Sequence, residues 1–245
     1  MLNKLIDLGF SKVESEELLK ISKNIEKDIE LLKKGYPIQY LIGYVDFYGN
    51  KIIVNQNVLI PRYDTEFLVD KTIKYIKHMF NEPKVLDLCT GSGAIAISIK
   101  KQIKSIVHAS DISKEALIVA ENNAKENNVE IEFYNDDILT NNYNKYDVII
   151  SNPPYVSYEE EIMQTVIDYE PNIALFAKNN GLEFYEKILN QSRKNLNSKY
   201  LIAFEIGYKQ AKSITEISKK YFPKAKIIVE QDFSGKDRYI FIKSE

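Results

Sequence analysis

Apolar residues in the first 34 positions fall at helical spacing within a highly charged stretch: Leu5, Leu8, Val13, Leu18, Leu19, Ile25, Ile29 and Leu32. That spacing predicts two or three short helices, ended by Gly35-Tyr36-Pro37. Between Tyr44 and Ile60 the pattern becomes strand-like. Phe47-Tyr48 and Ile52-Ile53-Val54 flank Gly49-Asn50, a hairpin signal. Strands and helices then alternate. Helix is expected over 64–80, with Asp64 or Thr65 as its N-cap, and over 94–103, 113–128, 181–196 and 208–222. Strands are expected at 84–88, 105–110, 131–134, 147–151 and 200–206, with a closing hairpin of 226–229 and 238–243 around Phe233–Lys236. This order predicts an α/β fold with a mostly parallel sheet covered on both faces and one antiparallel strand. It divides the chain into a small helical region, 1–36, a hairpin connector, 37–63, and a main domain, 64–245. No internal repeat or low-complexity tract interrupts it.

Composition narrows the setting. Hydrophobic residues make up 44% and charged residues 28% of the 245, as in a soluble protein with a substantial core. No apolar run reaches the length of a membrane span, and the N-terminus lacks the signature of a signal peptide. A single cysteine excludes an intrachain disulfide framework, so a reducing cytoplasm is expected. The net charge is −2, and the lysines are spread among acids, so stable nucleic-acid binding is not expected. His78 and His108 stand apart from any cysteine or acid at ligand spacing, and no metal is expected.

In sheets of this kind, ligands bind beyond the carboxyl ends of the strands. After the first main-domain strand comes Asp87-Leu88-Cys89-Thr90-Gly91-Ser92-Gly93-Ala94. Gly91 and Gly93 permit a sharp turn and a close approach of backbone N–H groups to a ligand. Asp111 ends the next strand, where an acid can hold a ribose diol. These parts suit either a nicotinamide dinucleotide or S-adenosylmethionine. Asp87 favours the second, because a buried acid repels a pyrophosphate but suits an ammonium and a sulfonium. Asp137, after the third strand, is positioned to accept from an adenine amino group while Ile138 packs on the ring; taken alone it is an ordinary turn acid.

Ser151-Asn152-Pro153-Pro154-Tyr155 follows the fourth strand. Two prolines cannot continue a central strand, so the chain leaves the sheet in a rigid turn. An amide or aryl amine nitrogen is a poor nucleophile because its lone pair is delocalised. Here Asn152 can accept one of its N–H groups, the Pro153 carbonyl the other, and Tyr155 can stack on the planar group. Positioning of this type can supply on the order of 7–11 kcal/mol of a barrier at best. Glutamine and adenine present the same flat NH2, and the turn does not choose between them.

Several segments together resemble the bacterial release factor glutamine methyltransferases, the PrmC or HemK family. Pro37–Gly43 is similar to that family's linker. Leu59-Ile60-Pro61-Arg62-Tyr63-Asp64-Thr65-Glu66 resembles its I-P-R-P-D-T-E stretch, and Asp87–Ala96 its D-L-G-T-G-S-G-A-I-A. Ser151–Tyr155 matches S-N-P-P-Y, and Tyr169-Glu170-Pro171 with Ala174-Leu175 resembles (F/Y)-E-P-x-x-A-L. The resemblance spans nearly everything from Pro37 onward. It implies a seven-stranded class I methyltransferase (Rossmann-like) sheet behind a small helical N-terminal domain. It also implies S-adenosyl-L-methionine as cofactor and, as substrate, the glutamine of the Gly-Gly-Gln motif of peptide chain release factors. Cofactor binding is carried onto Cys89, Thr90, Gly91, Ser92, Gly93, Asp111, Ile138 and Asn152, beside Asp87 and Asp137 from the residues themselves. Glutamine binding and catalysis are carried onto Asn152, Pro153, Pro154 and Tyr155. Three features depart from the family: Cys89 replaces a common glycine, Tyr63 replaces a proline, and the helical region is shorter than usual. For Arg62, Glu66 and Glu170, either ion pairs that tie the connector to the site rim or a surface role is open. A monomer is expected. Alternatives are another protein glutamine, as in a ribosomal protein, the N6 of adenine in nucleic acid, a dehydrogenase, or a binding module without catalysis.

Overall fold

The structure, a computed structural model, describes residues 1–244. Helices α1 (Leu2–Asp7), α2 (Lys12–Ile21), α3 (Ile25–Lys33) and α4 (Ile38–Ile42) come first. Ser11 and Glu14 form a reciprocal capping box at α2, and the Asn24 side chain caps α3. Leu5, Leu18, Ile29, Leu32 and Ile38 make these helices a small core of their own. The helix α4 lies where only a linker was expected; Gly43, in the left-handed region, ends it.

The hairpin is β1 (Tyr44–Phe47) and β2 (Asn50–Ile53). Its turn is Tyr48-Gly49, both at positive φ, one residue earlier than the Gly49-Asn50 of the sequence reading. Asn50 is instead buried in β2, and its side chain donates to Ser98. Asn123 brackets Ile53, accepting from its N–H and donating to its carbonyl, so the hairpin is fastened to the main body.

The remaining elements are α5 (Tyr63–Met79), β3 (Lys84–Leu88), α6 (Ala94–Gln102), β4 (Ile106–Asp111), α7 (Lys114–Glu126), β5 (Glu132–Asn135), β6 (Tyr146–Ser151), β7 (Val156–Ser157), α8 (Gln164–Tyr169), β8 (Phe176–Ala177), a one-turn α9 (Lys178–Gly181), α10 (Glu183–Ser192), β9 (Leu196–Glu205), α11 (Ala211–Tyr221), β10 (Lys226–Gln231) and β11 (Asp237–Lys243). Seven strands form one sheet in the order β10-β11-β9-β6-β3-β4-β5. Only β11 runs against the others, pairing antiparallel with both β10 and β9. The expected α/β sheet with a single reversed strand is therefore present.

Alternation within the strands explains the layers. Val85, Val107, Val148, Ala203 and Phe241 face one core with α5, α6, α7 and the hairpin. Leu86, Leu88, Ile149, Ile202, Phe204 and Ile242 face a second core with α10 and α11. A parallel strand covered on both sides is buried at nearly every position, as β3 and β6 are. Each fully buried Leu, Ile or Val contributes roughly 1.5–3 kcal/mol. No helix of the described residues is long and apolar enough to cross a membrane.

From β3 the chain winds outward to β4 and β5, then returns to place β6 on the other flank of β3. The strand order reverses there, which opens a crevice at the carboxyl ends of β3, β4, β5 and β6. Two local expectations differ. The N-cap of α5 is Arg62, without a side-chain bond, because Thr65 points inward to another partner. The segment between β6 and α10 is not a plain loop: it holds α8 and the short parallel pair of β7 with β8.

Candidate active site

A cavity occupies this crevice. Its wall includes Cys89, Gly91, Asp111, Asp136, Asp137, Ile138, Asn152 and Pro154. Ile112, Ala116, Phe184 and, from the connector, Val58 and Leu59 supply much of the apolar lining, with Ser110 and Asn57 beside them. Of the residues singled out in the sequence, Asp87, Thr90, Ser92, Gly93, Pro153 and Tyr155 are not part of that wall. They sit behind it or flank it.

The turn after β3 is closed on itself. Thr90 N–H donates to the Ser110 carbonyl and Gly93 N–H to the Thr90 carbonyl. The Gly91 N–H donates to Asp111 Oδ2 at 2.9 Å. Three of its amides are thus already used, so the turn has little left to cradle a pyrophosphate. Asp111 also accepts from Ser113 N–H at 2.9 Å, which fixes its carboxylate at the cavity wall. Burial raises the Asp111 carboxyl above its ordinary value, and the backbone N–H groups of Ser113 and Gly91 oppose that rise.

Behind the turn, Asp87 is wholly buried. Its Oδ2 accepts from Thr90 Oγ1 at 2.6 Å and from Ala96 N–H at 3.2 Å. Its Oδ1 has no partner among the described residues. Burial pushes this carboxyl up to about 7, against the pull of those two donors. A buried carboxylate oxygen left unpaired is costly, and such groups concentrate at functional sites.

The backbone is also strained at the cavity. Cys89 has φ 58 and Ile138 φ 63. The left-handed region is poor for any side chain with a Cβ, and worse for a β-branched one. The Cys89 conformation accounts physically for a glycine preference at that position. Burial pushes its thiol up, so it is not a nucleophile waiting to react. Asp137 is paired with Lys187 at the cavity edge, and Asp136 is buried, accepting from Asn141 N–H at 3.0 Å.

The turn after β6 is braced from distant parts of the chain. Pro153 and Pro154 are buried. Ser151 Oγ donates to the Leu88 carbonyl at 2.6 Å, which joins the two strand ends. The Tyr155 carbonyl accepts from Gln210 Nε2 at 2.9 Å. A Cβ on Gly181 would lie 2.0 Å from that carbonyl, so only glycine lets α9 pass here. Asn152 Nδ2 donates to Thr65 Oγ1 at 3.1 Å, and Thr65 Oγ1 donates to Glu205 Oε2 at 2.7 Å. The Tyr155 hydroxyl approaches Glu205 Oε1 at 3.4 Å, and burial raises that phenol above its ordinary value.

Thr65 and Glu205 were not anticipated. Both are buried polar residues at a strand end or in a first helical turn, and only the three-dimensional contact marks them. Arg62 and Glu170 do form an ion pair, at 2.5 Å, and Glu170 Oε2 also accepts from Ile60 N–H at 3.1 Å. This ties the connector to the segment after α8, whose Pro171 and Ala174 line the cavity. Glu66 makes no hydrogen bond or ion pair among the described residues. The carboxylates of Asp111, Asp136 and Asp137 line the cavity with Asp87 behind them, and among the described residues Lys187 is their one direct basic partner there. Such a site suits a cationic ligand with hydroxyl and amino donors better than a dinucleotide.

Fold and site together define a class I S-adenosylmethionine-dependent methyltransferase. The Methyltransferase small domain family matches residues 65–173. A release factor glutamine methyltransferase of Lactococcus lactis is 40% identical over 99% of this chain and 89% of its own length. Another, from Enterococcus faecalis, is 41% identical over 88% of this chain and 79% of its own. The chain belongs to the release factor glutamine methyltransferase family. Among solved structures, a release factor-specific protein-(glutamine-N5) methyltransferase from Alicyclobacillus acidocaldarius has a TM-score of 0.50 at 26% identity, covering 78% of this chain and 98% of that one. A methyltransferase from Pyrococcus furiosus, 20% identical, shares the fold with a TM-score of 0.60, over 80% of this chain and 88% of its own.

Proposed function

We propose that this chain methylates the side-chain amide nitrogen of the glutamine in the Gly-Gly-Gln motif of peptide chain release factors. The observation that carries the chemistry is Asn152: it sits on a proline-locked turn at the cavity wall with its Nδ2 already engaged and its Oδ1 unclaimed among the described residues. Family membership supports the choice of glutamine over adenine.

Asp111 is suited to accept from ribose hydroxyls, Ile138 to pack on an adenine ring, and Asp137 or Asp136 to accept from its amino group. Asp87 is suited to offset the positive charge of the amino-acid end through the Cys89–Gly93 turn. Bound S-adenosyl-L-methionine supplies a methyl group made electrophilic by its sulfonium centre. Asn152 Oδ1 accepts one amide N–H of the glutamine and the Pro153 carbonyl the other, while Tyr155 flanks the planar group. Held in this way, the nitrogen lone pair turns toward the methyl group. A C–N bond forms as the C–S bond breaks, and the proton that becomes acidic on nitrogen passes to water. No strong base is needed at the outset; orientation of the amide by fixed acceptors does the catalysis.

The same reading sets the protein in the cytoplasm as a monomer, its one thiol held in the cofactor turn rather than in a disulfide. Transfer of labelled methyl to a purified release factor, run beside ribosomal protein, DNA and RNA, tests the substrate. Label confined to the release factor is expected; label only in nucleic acid or ribosomal protein would refute it. Binding of S-adenosylhomocysteine but not NADH is expected in the same preparation.

A further inference from the structure

We infer that Thr65 and Glu205 form a relay that fixes which end of the Asn152 amide faces the substrate. The inference rests on the glutamine-amide reading of the site. It assigns positioning roles to two residues that do not themselves line the cavity.

The hydrogen-bond logic has one free choice, and Glu205 makes it. Thr65 has a single hydroxyl proton. Glu205, buried at a strand end, can only accept while it is ionised. The 2.7 Å contact therefore consumes the Thr65 proton. What Thr65 has left for Asn152, 3.1 Å away, is a lone pair, and only the NH2 end of the amide can use it. Oδ1 is thereby turned away from Thr65. An Asn side chain otherwise flips between two orientations of nearly equal shape. With NH2 facing the substrate it would oppose another N–H donor and lose the contact that holds the nitrogen.

Protonation of Glu205 reverses the chain. A neutral carboxyl can donate to Thr65, which then directs its own proton to Asn152 and invites Oδ1 inward. Burial pushes the Glu205 carboxyl up to about 7, and the Thr65 hydrogen bond and Arg238 pull the other way. The groups that face it are Thr65 and Asp64 of α5, Tyr155 of the turn, Tyr185 of α10, whose hydroxyl donates to the Glu205 carbonyl, and Arg238 and Tyr239 of β11. Arg238 is itself shared with Asp64 and Asp232, both at 3.5 Å, so it does not belong to Glu205 alone.

Thr65→Val keeps the shape and removes the hydroxyl; Thr65→Ser keeps the hydroxyl and removes the methyl group. The relay predicts a fall in turnover number of at least tenfold in T65V, with little change in S-adenosylhomocysteine affinity; the melting temperature falls as well, because Glu205 and Asn152 each lose a partner. T65S should recover most of the lost turnover. A packing role predicts the opposite order, and T65V near wild type, or T65S as poor as T65V, would overturn the proposal. At saturating cofactor, wild-type turnover should rise with pH to a plateau, with a midpoint near 7, and the rise should vanish in Glu205→Gln; a rise that persists in E205Q also overturns it. The side-chain amide protons of Asn152, followed by 15N NMR without substrate, should be protected in wild type and exposed in T65V. Unchanged protection contradicts the relay whatever the substrate is. Absence of methyl transfer to release factor by the wild-type enzyme, with that protection intact, would instead refute the substrate reading alone.

Discussion

The turn after β3 is tied to its own neighbourhood, whereas the turn after β6 is held from across the chain. In the first, Asp87 binds Thr90 three positions away and Ala96 nine positions away, and Asp111 at the next strand end binds Gly91. In the second, Asn152 depends on Thr65, 87 positions distant, and Thr65 on Glu205, 140 positions distant. Both turns line one cavity. The local one builds a negatively charged seat for a cationic cofactor; the remote one builds an aimed acceptor for a neutral amide. A seat tolerates small errors of geometry, because charge acts over distance. An aimed hydrogen bond does not, and it needs bracing from several elements.

Changes to the remote turn should therefore cost turnover, and changes to the local turn should cost cofactor affinity. The largest effect is expected from Asn152→Ala: a loss of turnover of roughly a hundredfold to ten-thousandfold, the scale of losing positioning together with a preorganised acceptor. Its affinity for S-adenosylhomocysteine, measured by calorimetry, should change by only a few-fold. Equal losses in both would erase the contrast between the turns.

Asp87→Asn should show the converse. Cofactor affinity is expected to fall at least tenfold, while the cofactor-free protein melts higher at pH 8. Asp87 and Glu205 have ordinary values of 3.8 and 4.5 and are pushed up to about 7 in the fold. The folded state then holds protons more tightly than the unfolded one. Their contribution to stability is complete below about pH 4 and is lost as pH rises through about 7. Melting temperature of the free protein should decline over that window, and D87N should flatten part of the decline. A profile that rises over that window contradicts the assignment of both groups.

Glu170→Ala tests the brace between connector and rim. Ile60 N–H loses its partner, and the Arg62 guanidinium, 41% exposed, loses little that water cannot replace. The expected cost is about 1–3 kcal/mol, mostly from the stranded amide. At roughly 2–4 °C per kcal/mol for a chain of this size, thermal melting resolves it. The smallest effect is expected from Cys89→Gly. Relief of the left-handed strain is worth about 1–2 kcal/mol, and the greater freedom of glycine in the unfolded chain returns about 0.5–1 of it. The net gain is about 0–1.5 kcal/mol, at most about 6 °C by the same conversion, with activity retained.

How much of this was legible in the sequence follows the same contrast. The β3, β4, β5 and β6 strands and the turns after them could be read from short apolar runs followed by acids, glycines or prolines. The helix expected from residue 113 is capped there in the structure, where the Ser113 hydroxyl accepts from Ala116 N–H. Local chemistry writes such signals into adjacent letters. Thr65 and Glu205 carried none: a threonine in a first helical turn reads as a cap, and no glycine, proline or second acid directly adjoins Glu205 to mark it as part of a site. The hidden fact was that α5 lays its first turn against the ends of β6 and β9. The strain at Cys89 and Ile138 was equally invisible, because tertiary packing imposes those φ values against local preference. The same holds for α8 and the β7–β8 pair, too short to show a period. Arg62 and Glu170 lie between these extremes: the segments were noticeable, but their contact was known only as one of two readings.

The site of methylation tests the central claim most directly. Purified release factor, incubated with this protein and S-adenosyl-L-methionine, is digested and its peptides are fragmented in the mass spectrometer. One methyl group on the side-chain amide of the Gly-Gly-Gln glutamine is expected, absent when N152A replaces the wild-type enzyme. A methyl group on any other residue, or an equal yield from N152A, would contradict the account.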